Sequence, residues 1–511
     1  MPILEKKQDK PICFLKNPLL WLGASMSLYL VLMLPQFTDL PLGHDSLYYL
    51  GMAQKSALDP SHIFQPDYYH GYHPVHFYLS SLVYLVAAFN KTAHGLVMLL
   101  VHALSAWMLF RLVRRLGITG GWASFCAVFF LFFSTQWGSL YDFSQLWRFA
   151  EAFFMLVSMT AFLDFVHSGR RKHWVCCFLF YLGALGSGED AVLLPILFVF
   201  IVFLRELNFK KQIAKSCSWT WPFFTLTLIY FLTYVIEGGV GDSPLTLGWH
   251  IGVNPFYLIK EYVHMLFIPR VEHLHGFPWQ FAGIRVLPLL LIVTFVWFVI
   301  QRDPEGSGSM FIRSFHDPVF LSGLATALVM ALPYLMIAKP SFAEAWPPVR
   351  YLYLSGIGIA MMTGAFAKNL WDCLGRGPSW GFTVGEWPLK KILFGGILVY
   401  VLTLNASTNL LIRAKINTDL PYATREEEPV AISFVDQLRS RYEVFPADAI
   451  VIIQNTPFTL ERLRVLLPIY YEIRSEQIFL SENGQGSHKT PLKSGQGIIA
   501  LKWVDGKLLE A

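Results

Sequence analysis

HPVHFYLSSLVYLVAAF, residues 73–89, decides how the chain is threaded. Read as a full membrane crossing, it carries the basic run RLVRRLG at 111–117 to the outer side, against the tendency of Lys and Arg to stay at cytoplasmic flanks. Read as a helix lying in the membrane interface, it leaves that run inside. The second reading agrees with the basic residues, and the remaining topology follows from it.

Upstream, an apolar stretch from about Leu19 to Leu34 follows MPILEKKQDKPICFLKNPLL, with no small-residue cleavage site after it. It reads as a signal anchor, span 1 at 18–35, leaving outward. Residues 36–93 then form a long outer loop that ends in the interfacial stretch. An apolar helix needs about 20 residues to cross the hydrocarbon. That length, together with the basic flanks, places further spans at 94–111, 121–134, 149–166, 174–187, 191–205, 219–236, 284–301, 318–338, 351–367 and 391–411, about eleven crossings in all. Arg114 and Arg115, Arg170 to Lys172, Arg205 to Lys215, Arg302, Arg313, Lys390 and Lys391 all fall inside.

Composition agrees. Of 511 residues, 54% are hydrophobic and only 15% charged, more apolar surface than the core of one soluble domain can bury. The net charge of +5 comes from short clusters between apolar runs, a topology signal that argues against nucleic acid as a partner. The six cysteines fall in spans or on the inner side, so no disulfide framework is implied. Beyond 411 the character changes. TREEEP is a charged linker, PVAISFVDQLRSRY reads as an amphipathic helix, and AIVIIQN and GIIALKW read as strands. The expected fold is mainly α, a polytopic transmembrane helical bundle (1–411), with a small C-terminal α+β extracytoplasmic domain (412–511).

Several ionisable residues fall at the outer surface. Asp45, in PLGHDSLYYL just beyond span 1, has the place of a helix N-cap, the ordinary reading of Asp before SLYYLGMAQ, and also of a proton acceptor for an incoming hydroxyl. The same loop holds Asp59, Asp67, His62, His70, His73 and His76. YYHGYHPVH invites a metal reading, but Gly71 and Pro74 interrupt the helix it would need. Between spans 3 and 4, STQWGSLYDFSQLWRFAEAFF supplies Asp142, Arg148 and Glu151, and Arg148 and Glu151 stand three apart, where they can pair. GALGSGEDAVLLP sets Glu189 and Asp190 at a Gly-rich break, either a plain hairpin or the lining of a polar cavity. FIPRVEHLHGFPW offers Arg270 and His273, and IAKPSFAEAWPPVRYLYLS offers Lys339 and Arg350. Cations are otherwise scarce on this side, and a lipid phosphate needs them at headgroup depth.

These features together resemble the GT-C superfamily of polyprenyl-phosphate-sugar-dependent glycosyltransferases, and within it the protein O-mannosyltransferases and their bacterial relatives. Asp45 stands where that family keeps its first-loop acid. HPVHFYLSSLVYLVAAF is similar to its HP-x-x-x-YL segment, GSGEDAVLLP to its K-E-x-x-x-x-x-P turn, and RYLYLS, Arg350 to Ser355, to its R-Y-L-Y-L-P-S run. The likeness covers about residues 15–410. His44-Asp45 replaces the common pair of acids, Gly188 stands where a Lys is usual, and RYLYLS lacks the Pro.

The resemblance implies an inverting transfer on the outer face of the membrane, from a polyprenyl-phosphate-linked sugar to an acceptor hydroxyl on protein, lipid or glycan. Asp45 is then the general base, with Asp142 or Glu189 in support. Arg350, Arg270 and Lys339 hold the leaving phosphate. His44, His73, Arg148 and Asp190 from the loops, and His273, Tyr351 and Tyr353 from the later segments, complete the expected substrate-binding set. Relatives with monophosphate carriers work without a metal, whereas those with diphosphate carriers need a divalent ion, so Mg or Mn stays open. A transporter would show mid-span charges and inverted repeats, and neither stands out here. A non-catalytic scaffold for surface-glycan export would need neither the first-loop acid nor outer arginines.

Overall fold

The computed structural model describes residues 17–38, 44–64, 73–88, 90–133, 137–140, 143–205, 209–236, 316–332, 353–374, 383–384, 387–419, 433–434, 437–438, 440–442, 450–455, 463, 478–481, 498–504 and 507–510, with the backbone alone at several of them, 44–48, 209–212, 233–236 and 411–419 included. These residues are mostly helical. Three stretches are long and apolar enough to cross a membrane: Pro18–Phe37, Lys91–Arg115 and Leu146–Ser168. Span 8 at 284–301 lies outside the described residues.

Helix α1 (Pro18–Met33) buries Leu22, Tyr29 and Met33 and turns Leu20 and Val31 outward, as a helix at the lipid boundary should. In the loop after α1 lie α2 (His44–Leu58) and α3 (Pro74–Ala87). Pro74 opens α3, its fixed φ suiting the first helical turn. At 14 residues α3 is about 21 Å long, short of the roughly 30 Å hydrocarbon core. Its buried face carries His76, Phe77, Ser80 and Ser81, and its exposed face Tyr78, Leu82, Leu85 and Val86. That division suits a helix lying flat in the interface. Tyr49, Met52 and Phe77 join α2 to α3 in a small apolar cluster of their own.

Helix α4 (Lys91–Arg115) is capped by Asn90, whose side chain accepts the Ala93 N–H at 3.0 Å, and it ends on Arg114 and Arg115. After it come α5 (Gly120–Phe132), α6 (Leu146–Ser168), α7 (Arg171–Leu185), α8 (Leu194–Arg205) and α9 (Phe209–Ile236). Gly169 closes α6 at φ +65°, a left-handed cap that a residue with a Cβ would resist. Phe162, Phe198 and Phe223 knit α6, α8 and α9, the first pair stacked at 4.5 Å. Further on, α10 (Pro318–Val329), capped by Asp317, packs along α11 (Tyr353–Leu374), and α12 (Leu389–Asp419) follows.

Several helix ends differ from the expected spans. α7 stops at Leu185 and α8 starts at Leu194, with a break between them, whereas α9 starts at 209 and α12 runs to 419. A hydropathy window marks the stretch that can lie in hydrocarbon, whereas backbone hydrogen bonding carries a helix on through polar flanks. Near the C-terminus the two expected strands are present as β3 (Ile450–Gln454) and β5 (Ile498–Val504). They are joined by β4 (Ile478–Ser481) and β6 (Lys507–Glu510) in the order β4-β3-β5-β6, parallel except for the last pair. Phe434, from the expected amphipathic helix, packs on Trp503 of β5, while Gln437 accepts the Leu508 N–H at 2.8 Å. β1 (Thr383–Val384) and β2 (Trp387–Pro388) form a short hairpin that the sequence did not suggest.

Candidate active site at the helix ends

The break between α7 and α8 is a tight turn, Gly186 to Gly188, followed by a 3-10 turn, Glu189–Leu193. Two other segments meet it. The first is the start of α3, where the Val75 N–H donates to the Gly186 carbonyl at 2.8 Å and His73 Nε2 lies 3.4 Å from Glu189 Oε2. The second is the start of α6, whose first two turns carry Trp147, Arg148 and Glu151. The loop after α1 is thereby joined to a turn far along the chain.

Arg148 is buried. Its Nη1 donates to Asp190 Oδ2 at 3.0 Å and its Nε to Gln145 Oε1 at 3.1 Å, while the guanidinium lies 4.1 Å from the Trp147 ring centre. The Trp147 ring also stacks with His73, at 5.1 Å and 22°. Arg148 and Glu151 therefore do not spend their bonds on each other. Glu151 Oε1 accepts the Ala191 N–H at 2.7 Å, and its Oε2 is buried with no hydrogen-bond partner among the described residues. A Cβ at residue 188 would fall 2.5 Å from that oxygen and 2.8 Å from Trp147 Cε3. Of the two acids on the turn, Glu189 faces out, its side chain 52% exposed, and Asp190 is enclosed at 4%. The hairpin reading suits the first and the enclosed polar reading the second.

Four of the expected site residues thus come together: His73, Arg148, Glu189 and Asp190. His44 and Asp45 open α2, where the backbone alone is described. Asp142, Arg270, His273, Lys339, Arg350 and Tyr351 lie outside the described residues. Tyr353 is placed elsewhere, fully buried between α4 and α5, with Phe149 4.8 Å from its ring. His102 Nε2 meets the Leu131 carbonyl at 3.2 Å, so that nitrogen carries the proton, and Nδ1 accepts the Tyr353 hydroxyl at 2.7 Å. Trp147 and Gln145 were not anticipated. An aromatic beside an Arg is a faint signal, and nothing in the sequence marks Gln145.

Among the described residues no group of three or more His, Cys, Asp or Glu side chains is placed to hold a metal ion. The acids of this cluster are engaged instead by a guanidinium, a backbone amide and an imidazole. An expectation of Mg or Mn therefore rests on residues outside the cluster. Cys126, Cys176, Cys177 and Cys217 are free thiols. In the loop after α1, Asp59 accepts the Ser61 N–H at 2.9 Å, which holds its carboxyl below the ordinary range.

No protein-family model matches the sequence, and no curated protein does. Solved structures do match. The oligosaccharyltransferase of Archaeoglobus fulgidus superposes in its apo form with a TM-score of 0.54 at 11% identity, over 93% of this chain and 65% of that one. The same enzyme with an inhibitory peptide and a dolichol-phosphate gives 0.50 at 12% identity, over 91% and 65%. ArnT from Cupriavidus metallidurans, in the apo state, gives 0.49 at 12% identity, over 88% and 84%. The chain thus spans about two-thirds of the archaeal enzyme's length, and at such identities the likeness is one of fold. That fold, a bundle of mostly apolar helices, is the one this chain shares with the archaeal oligosaccharyltransferase.

Proposed function

We propose that the protein is an integral-membrane glycosyltransferase that moves a sugar from a polyprenyl-phosphate carrier to an acceptor hydroxyl at the outer face of the membrane. The observation that carries this reading is the fold shared with the archaeal oligosaccharyltransferase over nearly the whole chain. That enzyme has been solved with a dolichol-phosphate, a carrier of the class invoked here.

In the proposed reaction the acceptor oxygen attacks the anomeric carbon from the face opposite the phosphate. The bond to the phosphate oxygen breaks as the new glycosidic bond forms, so configuration inverts. Asp45 takes the hydroxyl proton, and Asp142 or Glu189 orients the acceptor or the sugar. The carrier leaves as its phosphate, and Arg350, Arg270 and Lys339 stabilise the charge it gains, commonly the largest contribution in such a step. With a diphosphate carrier, Mg or Mn would share that role. The archaeal enzyme has also been solved with Zn and sulfate. Residues 412–511 then form a small domain on the same outer side.

Native mass spectrometry of the gently solubilised protein tests the reading. A co-purified polyprenyl phosphate is expected. A protein that carries none, and gains none when incubated with undecaprenyl phosphate, is not this enzyme.

A further inference from the structure

We propose that Arg148 is a positioning residue, which holds the turn following Asp142 and the turn carrying Glu189 and Asp190 in one arrangement, and that it does not grip the carrier phosphate. The proposal rests on the transferase reading, in which Asp142 or Glu189 faces the reacting sugar.

The planar group of Arg148 is used on two edges and on a face. One edge donates to Asp190 on the Glu189–Leu193 turn, another to Gln145 at the end of the Phe143–Gln145 turn, and the face lies on Trp147 of its own helix. Two chain segments, 143–148 and the Glu189–Leu193 turn, therefore meet on one side chain. A second tie lies one helical turn further along, where Glu151 Oε1 accepts the Ala191 N–H, and a third where His73 of α3 reaches Glu189 and stacks on Trp147.

Electrostatics points the same way. A cation that holds a lipid phosphate needs an open approach and charge to spare. Arg148 is 3% exposed and has Asp190 at 3.0 Å, so its charge is cancelled inside the protein. Such a pair is costly to break, because the partner left behind is a buried charge. Its fork geometry is also one that Lys cannot copy, since an ammonium is a point donor. The arrangement suits a strut better than a clamp.

The test uses the full-length protein in nanodiscs, with undecaprenyl phosphate as the binding probe and amide hydrogen exchange as the structural readout. Arg148→Lys keeps the charge and loses the fork. Exchange over 137–146 and over 186–193 is expected to rise together, by about tenfold or more. Affinity for undecaprenyl phosphate stays as in the parent, and turnover at saturating donor falls on the order of a hundredfold, as misplacement of reacting groups does. Asp190→Asn should loosen the same two segments.

Should Arg148→Lys fail to fold, Gln145→Met removes one tie and no charge, and is expected to loosen 137–146 alone. Unchanged exchange in these variants overturns the proposal. So does an Arg148→Lys protein whose only defect is weaker binding of undecaprenyl phosphate. If the parent neither binds the probe nor transfers sugar, the transferase reading fails, while the exchange data still decide whether Arg148 ties the two turns.

Discussion

Gly188 is where the sequence departs from the Lys usual in the turn it resembles, and the structure supplies a reason. Glu151 and Trp147 fill the space in which a side chain at 188 would begin. The positive charge of the cluster stands instead on α6, at Arg148. Gly188→Ala should therefore lower stability by about 1–3 kcal/mol, the usual cost of overpacking, read as thermal unfolding in detergent; an unchanged melting temperature would mean that Glu151 moves aside freely. His76 offers a second test. It is fully buried on α3, outside the spanning helices, with neither ring nitrogen hydrogen-bonded among the described residues, and Tyr49 and Phe77 pack against it. Burial first, and the nearby His73 second, push its imidazole well below 6.5. Above pH 6.5 the folded and unfolded chains are both neutral at this site. Below it only the unfolded chain takes the proton, so stability is lost as pH falls, with a slope of at most about 1.4 kcal/mol per pH unit. His76→Phe should flatten the stability curve below pH 6.5 and leave it alone above. A variant with the parent's curve would show that His76 does not set it.

Between elements, small residues bring α10 and α11 together backbone to backbone. A Cβ on Gly323 would lie 2.6 Å from the Gly358 carbonyl oxygen, and one on Gly358 would run into the Gly323 carbonyl and the Ala327 backbone. Small residues at such crossings let membrane helices gain packing that hydrophobicity cannot supply in lipid. Gly358→Leu should push α11 off α10 and cost several kcal/mol, beyond the usual overpacking range of about 1–3, because backbone and not a flexible side chain is in the way. Aggregation or loss of the monodisperse peak in detergent is the expected outcome, and a variant as stable as the parent would disprove the contact. Among the described residues, the three long apolar helices were legible in the sequence because about 20 apolar residues in a row have few other uses. Helix ends were not, as the overrun of α9 and α12 shows. β3 and β5 were legible as short apolar runs, whereas the charged and polar residues of β6 hide its pairing with β5. The site was half legible. The acids and Arg148 stand out as ionisable groups in apolar surroundings, but their pairing does not, because Arg148 bonds across 42 residues to Asp190 rather than to the acid three residues away.

At the scale of the molecule, the transferase reading requires one geometry: the base and the phosphate-holding cations must reach opposite ends of the same glycolipid. α2, whose first turn holds Asp45, packs against α3, and the His73 end of α3 is bound to the Glu189 turn. The first loop is thus fixed to the start of α6 and the end of α7. Arg350 lies three residues before α11, the helix that begins at Tyr353 and packs against α5 and α10. Two substitutions separate the two roles. Asp45→Asn keeps size and removes the proton acceptor, so turnover should fall by about 10²–10⁴-fold, with carrier binding and melting temperature close to the parent's. Arg350→Ala should do the reverse in part, weakening undecaprenyl phosphate binding because a charge-assisted, two-bond grip is gone. If Asp45→Asn keeps full turnover, another group takes the proton. If Arg350→Ala binds carrier as well as the parent, the phosphate sits elsewhere. Turnover lost without affinity in the first variant, and affinity lost in the second, is the pattern that a base and a clamp at two ends of one substrate must give.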